Sequence, residues 1–196
     1  MSTTISNSNT KEKINPNPQL SGLRGKVEKS EEVIDIPIGL SREDRCKTVQ
    51  QLNQLLADTI MLQSMYKKHH WQVAGPTFYQ IHLLLDKHYE EQAALVDTIA
   101  ERIQLLGGVA AGMPAEVAAK TQIPHPPAGR EALADQLTRL LGAHETICNH
   151  CRFVAKSISE RGDVGTEDML VGQVLRTNEF QAWFVAEHLV PVPLES

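Results

Sequence analysis

The chain has 196 residues, a formal net charge of −5 and only 5% aromatic residues. This length suits a single domain with a real core, and low aromatic content with many good helix formers favours helices over sheets. The acidic balance provides no general basic field for nucleic acid, three cysteines are too few for a disulfide framework, and no apolar run approaches the ~20 residues of a membrane span. Met1 to Asn9 lacks the apolar stretch of a secretory signal, so we expect a cytosolic protein that is not bound to membrane.

Residues 1–40 are rich in Ser, Asn, Thr and Pro and show no helical period, which predicts a mobile N-terminal tail. The folded domain is expected over 41–196. Its first helix is predicted to begin at Ser41, where Asp44 follows three residues later as in a capping box, and to reach Ala74 before Gly75 and Pro76.

Three further long helices follow, each with apolar residues at helical spacing. They are predicted over 77–106, 130–160, and from Thr166 as N-cap to just before Pro191. A short helix over Pro114 to Lys120 is expected in the long connection between the second and third helices. This order predicts an all-α, ferritin-like four-helix bundle.

Four acidic and histidine side chains form two pairs on the second helix. His82 and Asp86 are four residues apart, as are Asp97 and Glu101, so each pair lies on one helical face. Asp86 and Asp97 differ by about 1,100°, within ~20° of three full turns, but lie about 16 Å apart along the axis. Since a metal–ligand bond is only ~2 Å long, one helix provides two half-sites rather than one site.

Two copies of this helix, crossing antiparallel about a two-fold axis, would complete the sites. With the axis between Glu91 and Gln92, His82 faces the partner's Glu101, and Asp86 faces the partner's Asp97. The same operation generates a second site about 22 Å away.

His70 closes the first helix and could add an imidazole to the His82–Asp86 half. Two imidazoles and three carboxylates suit Fe(II) and leave positions open for an oxidant. The alternative interpretation is that these pairs bind no metal, because such a pair on a helix usually belongs to a solvated face or forms a local hydrogen bond.

The segment from His70 to Phe78, His-Trp-Gln-Val-Ala-Gly-Pro-x-Phe, followed by the four ligands and Ala100-Glu101-Arg102, resembles the signature of the Dps (DNA protection during starvation) family. The resemblance covers about 43–189 and is most specific over 70–108. Bacterioferritins are the nearby alternative, but they use Glu-x-x-His motifs, which this sequence lacks.

The resemblance implies a homododecamer of 23 symmetry, built from two-fold dimers, that oxidises Fe(II) preferentially with hydrogen peroxide and stores ferric oxide. It implies a ferroxidase site of His70, His82 and Asp86 from one subunit with Asp97 and Glu101 from its mate. Glu101 matches the bridging carboxylate and Trp71 lies beside the site. Reduction of peroxide by two electrons at once would avoid the hydroxyl radical and so protect DNA without any contact with it. The resemblance also implies a location in the bacterial cytoplasm or nucleoid.

The family's acidic three-fold pores lie near the start of the last helix, where this sequence has Asp163, Glu167 and Asp168. These residues are candidates for an iron entrance, with Asp168 the best placed. Glu167 and Asp168 could equally serve the helix N-terminus.

DNA binding is a second hypothesis and rests on lysines of the tail: Lys11, Lys13, Lys26 and Lys29. Within residues 1–40 five basic residues meet five acidic ones, so any such binding is expected to be weak and salt-sensitive.

Surplus histidines motivate a third hypothesis, a non-catalytic store that holds Zn at the same ligands. His144, Cys148 and Cys151 share one side of the third helix, and either a soft metal site or core packing fits them; we favour core packing. His69 is expected at the surface or behind the site, and His88 is expected to face away from it.

Overall fold

The computed structural model describes residues 33–190, and this part of the chain is helical without strands. The helices are α1 (Arg42–Gln72), α2 (Phe78–Leu105), the short α3 (Pro114–Lys120), α4 (Leu133–Ser159), α5 (Val164–Met169) and α6 (Arg176–Glu187). A π-helical segment, Leu170–Leu175, joins α5 to α6, so the three form one continuous last helix. The predicted bundle and its short connecting helix are confirmed.

The core lies between four long helices. α1 packs along α2 and α4, and α4 packs against the last helix. Fully buried leucines such as Leu52, Leu85 and Leu140 come from three of these helices, and each contributes about 1.5–3 kcal/mol relative to exposure. No helix in the described range is long and apolar enough to cross a bilayer.

The first helix begins as predicted, whereas the last begins differently. Ser41 Oγ accepts a hydrogen bond from the Asp44 amide at 3.0 Å. The N-cap of α5 is Asp163 and not Thr166: the Asp163 carboxylate accepts from the Thr166 amide at 3.1 Å and from the Thr166 hydroxyl at 2.6 Å. Thr166 was misassigned because a carboxylate three residues earlier caps the same turn.

Residues 33–40, assigned to the tail by sequence, pack on the bundle. The Ile34 amide donates to the Gly107 carbonyl at 2.9 Å, and Arg45 Nη1 donates to the Ile34 carbonyl at 2.6 Å. Gly107 has φ +82°, and a Cβ there would lie 2.5 Å from the Ile34 oxygen, so this crossing requires glycine. Residues 33–40 therefore belong to the packed domain, and residues 1–32 of the predicted tail lie outside the described residues.

Candidate metal centre

Two histidine rings form the first half of the candidate site. The His70 and His82 rings are stacked with centroids 3.7 Å apart. His70 Nδ1 lies 2.9 Å from the His82 carbonyl oxygen, and His82 Nδ1 lies 2.9 Å from the His70 carbonyl oxygen. Because a carbonyl only accepts, each Nδ1 carries the proton, which leaves both Nε2 lone pairs for a metal.

Asp86 adds a carboxylate beside these rings. Its Oδ1 accepts a hydrogen bond from Lys67 Nζ at 2.6 Å and lies 3.8 Å from His70 Nδ1. The hydrogen bond from Lys67 holds the pKa of the Asp86 carboxyl below its ordinary value. This half therefore presents two imidazole nitrogens and one ionised carboxylate.

The second half lies further along α2. Asp97 and Glu101 are one turn apart and both are exposed. In residues 33–190 no cluster of three or more His, Cys, Asp or Glu side chains could hold a metal ion within one subunit. The described residues thus give two separate groups of candidate ligands, one formed by His70, His82 and Asp86 and the other by Asp97 and Glu101, and no support for a zinc site.

Exposed apolar side chains flank both halves. Trp71 is 73% exposed directly after His70, and the Phe78 ring lies 5.0 Å from the His82 ring. Beside Glu101, a shallow apolar groove is lined by Ile36, Ile38 and Leu105. An apolar rim around charged ligands is typical of a surface that a partner covers.

The three candidate pore carboxylates differ in accessibility. Asp163 is 3% exposed and accepts from Arg102 Nη2 at 2.6 Å in addition to capping α5. Glu167 is half-buried in the first turn, and Asp168 is exposed. Asp163 is thus bound inside the subunit, and Asp168 is the accessible member of the set.

Three further histidines, His69, His88 and His144, lie in the interior. His69, expected at the surface or behind the site, is fully buried, so the surface alternative is wrong; α4 packs against α1. His88 faces the bundle core, away from the ligands, as predicted, and its Nδ1 contacts the Tyr66 hydroxyl. His144 is also buried, hydrogen-bonded to Tyr66 and Asn178.

Cys148 and Cys151 are buried, which confirms the core assignment. Burial raises the pKa of the Cys151 thiol to about 12, so this thiol is neutral and unreactive. The tail lysines 11, 13, 26 and 29 lie outside the described residues.

Sequence reasoning missed Lys67 as a partner of Asp86. The available signal was its position three residues before His70, which places both on the same face of α1. Arg102 was also missed as the partner of Asp163, since nothing local connects residues 61 positions apart.

Known proteins share both the sequence and the fold. The chain matches the ferritin-like domain family over residues 49–194. It is 32% identical to the DNA protection during starvation protein of Agrobacterium fabrum over 138 residues, which are 70% of this chain and 85% of the relative. DpsC from Streptomyces coelicolor has a TM-score of 0.85 at 52% identity, covering 88% of this chain and 100% of that one. An archaeal Dps homologue from Halobacterium salinarum has a TM-score of 0.81 at 25% identity, covering 90% and 97%. The chain therefore belongs to the Dps family within the ferritin-like superfamily.

Proposed function

We propose that this protein is a ferroxidase that binds two Fe(II) ions between two-fold related subunits and oxidises them, preferably with hydrogen peroxide. Ferric oxide is then stored inside a homododecamer, and DNA is protected because the reactants of radical chemistry are consumed. The observation that carries the proposal is the division of complementary ligands between two ends of one exposed helix face.

The exposed face of α2 supports the two-fold pairing. With the axis between Glu91 and Gln92, Phe78 faces Leu105 of the partner subunit by the same relation that pairs His82 with the partner's Glu101. Phe78 is 44% exposed and Leu105 58% exposed in the isolated subunit. Pairing them buries two apolar side chains next to each metal site and removes water from it.

The ligand chemistry suits iron as a substrate. Each completed site would contain the two Nε2 atoms, Asp86, and the partner subunit's Asp97 and Glu101. Three carboxylates supply negative charge that favours Fe(III) over Fe(II), and hard oxygen ligands prefer the more highly charged ion. The balanced reaction consumes two Fe(II), one hydrogen peroxide and two protons, and it gives two Fe(III) and two waters.

The Lys67 side chain competes with Fe(II) for Asp86. Its ammonium donates to Asp86 Oδ1 at 2.6 Å, so an Fe(II) ion that binds this oxygen must displace the ammonium. The charge of Asp86 is thereby balanced before iron arrives.

The test is anaerobic loading of metal-free protein with Fe(II), followed by stoichiometric peroxide and ferric absorbance in a stopped flow. The wild type is expected to show a fast phase that saturates near two irons per intersubunit site. The double variant His82→Ala, Asp86→Asn should lose this phase while keeping its assembly. A matched control, His125→Ala with Glu145→Gln, changes two exposed residues outside the site and should retain it. Wild-type rates in the first double variant would contradict the proposal.

A further inference from the structure

A buried hydrogen-bond network crosses the bundle core beside the candidate site. The Tyr66 hydroxyl on α1 lies 2.5 Å from His144 Nε2 on α4 and 3.1 Å from His88 Nδ1 on α2. His144 Nδ1 lies 2.9 Å from Asn178 Oδ1 on α6. All four residues are fully buried.

The network fixes where its protons are. Asn178 Nδ2 donates to the Val174 carbonyl at 2.7 Å, so its Oδ1 is the atom turned toward His144. An amide oxygen only accepts; His144 Nδ1 therefore carries a proton and its Nε2 is bare. Tyr66 consequently donates its hydroxyl proton to His144, and His88 Nδ1 donates to the Tyr66 oxygen.

Further amide hydrogen bonds connect Asn178 to the surface, although the donor direction reverses at its Oδ1, which accepts from both His144 and Gln92. Gln92 Nε2 donates to Asn178 Oδ1 at 3.2 Å and to Gln181 Oε1 at 2.9 Å, and Gln181 Nε2 donates to the Glu91 carboxylate at 2.8 Å. A positive charge that forms on His144 would be stabilised by the Asn178 amide oxygen, which accepts from His144 Nδ1.

Packing alone does not account for this arrangement. A polar network in a bundle core costs desolvation energy, and here His88 Nε2 and Gln92 Oε1 remain without a hydrogen-bond partner in the described structure. Burial lowers the pKa of His144 to about 4 and raises that of Tyr66, so both are neutral at pH 7. The resting state is thus a protonated phenol aimed at an unprotonated base.

This phenol is close to the iron ligands. Tyr66 precedes His70 by four residues on α1, a rise of about 6 Å. His88, whose ring packs edge-on against the Tyr66 ring at 5.3 Å, follows Asp86 by two residues. Two routes therefore connect the phenol to the first half of the site. One follows the α1 backbone from Tyr66 to His70, and the other crosses the Tyr66–His88 ring contact and follows α2 to Asp86.

We propose that Tyr66 is a redox-active residue that gives one electron to a strong one-electron oxidant formed when Fe(II) meets peroxide, while its phenolic proton moves to His144 Nε2. This proposal rests on the proposed function for its oxidant, a hydroxyl-radical equivalent. That oxidant takes the electron and a solvent proton and becomes water, leaving a neutral tyrosyl radical and a His144 imidazolium. A further Fe(II) returns the electron, becoming Fe(III), and the proton returns from His144 to the phenolate oxygen. Stray one-electron oxidants are thus quenched inside the protein.

The chain has three tyrosines, which makes the assignment testable. In the variant Tyr79→Phe, Tyr89→Phe, Tyr66 is the sole tyrosine and is itself unaltered. Freeze-quench EPR after Fe(II) and excess peroxide is expected to show a tyrosyl signal whose splitting changes when ring-deuterated tyrosine is incorporated. The additional change Tyr66→Phe should abolish that signal. Ferric absorbance is read in the same samples.

A second arm uses metal-free protein and flash-generated ruthenium(III) tris-bipyridine as the one-electron oxidant. The same signal is expected, with slower formation in D₂O and loss of the signal in His144→Gln at equal oxidant dose. Normal ferric absorbance without a tyrosyl signal in either arm would overturn the role of Tyr66 and leave the ferroxidase intact. A flash-induced Tyr66 signal without ferric absorbance would instead overturn the proposed function and support Tyr66 as the redox-active residue.

Discussion

His70 and His82 hold each other in one orientation: the Nδ1 atom of each ring lies 2.9 Å from the main-chain carbonyl oxygen of the other. The pair joins the end of α1 to the first turns of α2 across the Gly75-Pro76 break. Since the two rings also stack, both Nε2 atoms, the proposed metal ligands, are held in a fixed arrangement. Such preorganisation lowers the entropy cost of binding.

Lys67 should oppose metal binding at Asp86. Replacing it in Lys67→Met removes the competing ammonium, and a part-exposed ion pair contributes about 0.2–1 kcal/mol. The affinity of metal-free protein for Fe(II) under anaerobic conditions should therefore rise by up to about fivefold, measured by titration calorimetry. Lys68→Met, which removes only a contact to Gln72, should leave the affinity unchanged. Weaker binding in Lys67→Met would mean that the lysine helps to hold the site together.

Much of the fold was predictable because its signals are local. Gly75-Pro76 and Gly107-Gly108 interrupt the apolar period, and the short helix 114–120 was predicted with the bounds that the structure has. Four of the candidate ligands were proposed from their spacing along α2, which carries the two-fold relation, and His70 was proposed from its place at the end of α1. The structure stacks the His70 and His82 rings and places Asp86 3.8 Å from His70, but these three side chains form no complete metal group within the subunit, and their pairing with Asp97 and Glu101 stays a prediction.

The features that were missed depend on long-range contacts. Whether His69 is exposed depends on what packs against α1, so the spacing of apolar residues in the sequence does not indicate its burial. Likewise the cap of α5 depends on Asp163, which is fixed in turn by Arg102 from another helix. The Tyr66–His144 contact joins residues 78 positions apart and has no sequence signal.

The buried His144 should make the protein sensitive to acid. Its pKa in the folded chain is lowered by burial to about 4, whereas an unfolded histidine titrates near 6.5. Between these values the unfolded chain binds a proton that the folded chain does not, so stability is lost as the pH falls from about 6.5 to 4. His88 and Tyr66 are the titratable groups that face it.

The loss attributable to His144 should approach about 3 kcal/mol at the acid end. Chemical denaturation of iron-free protein at several pH values measures it, and His144→Gln should show a flatter pH dependence whatever its absolute stability. His125→Gln, at an exposed position, should keep the wild-type slope. An unchanged slope in His144→Gln would show that this histidine is not the titrating group.

Substitutions at Asp163 and Asp168 should affect different properties: the change at Asp163 should lower stability, and the change at Asp168 should affect iron entry. Asp163→Ala removes the cap of α5 and leaves Arg102, which is 20% exposed at its side chain, without its carboxylate. We expect a loss of about 2–4 kcal/mol in the free energy of unfolding. Asp168→Asn, at an exposed position, should leave stability within about 0.5 kcal/mol.

If Asp168 lines an iron entrance, Asp168→Asn should slow Fe(II) oxidation at low iron while leaving the rate at saturating iron unchanged, because only local cation concentration falls. The effect should weaken at high salt. Equal rates for the variant and the wild type at every iron concentration would remove Asp168 from the entry route.

The register of the two-fold pairing can be fixed by cross-linking. With the axis between Glu91 and Gln92, Leu83 faces Ala100 of the partner subunit, and Leu83 is 49% exposed in the isolated subunit. The variant Leu83→Cys, Ala100→Cys should form intersubunit disulfides under mild oxidation, because facing cysteines at close helix contact meet the distance limits of the bond. The product is a dimer on non-reducing gels and a single species by mass spectrometry.

Leu83→Cys with Ala94→Cys is the matched control, since it displaces one partner by six residues, about 9 Å along the helix. It and the two single variants should remain monomeric on the same gels. Cross-linking in the control but not in the 83/100 pair would shift the axis, and His82 would then no longer face the partner's Glu101. That result would contradict the proposed iron site shared between subunits, even if the subunits still formed dimers.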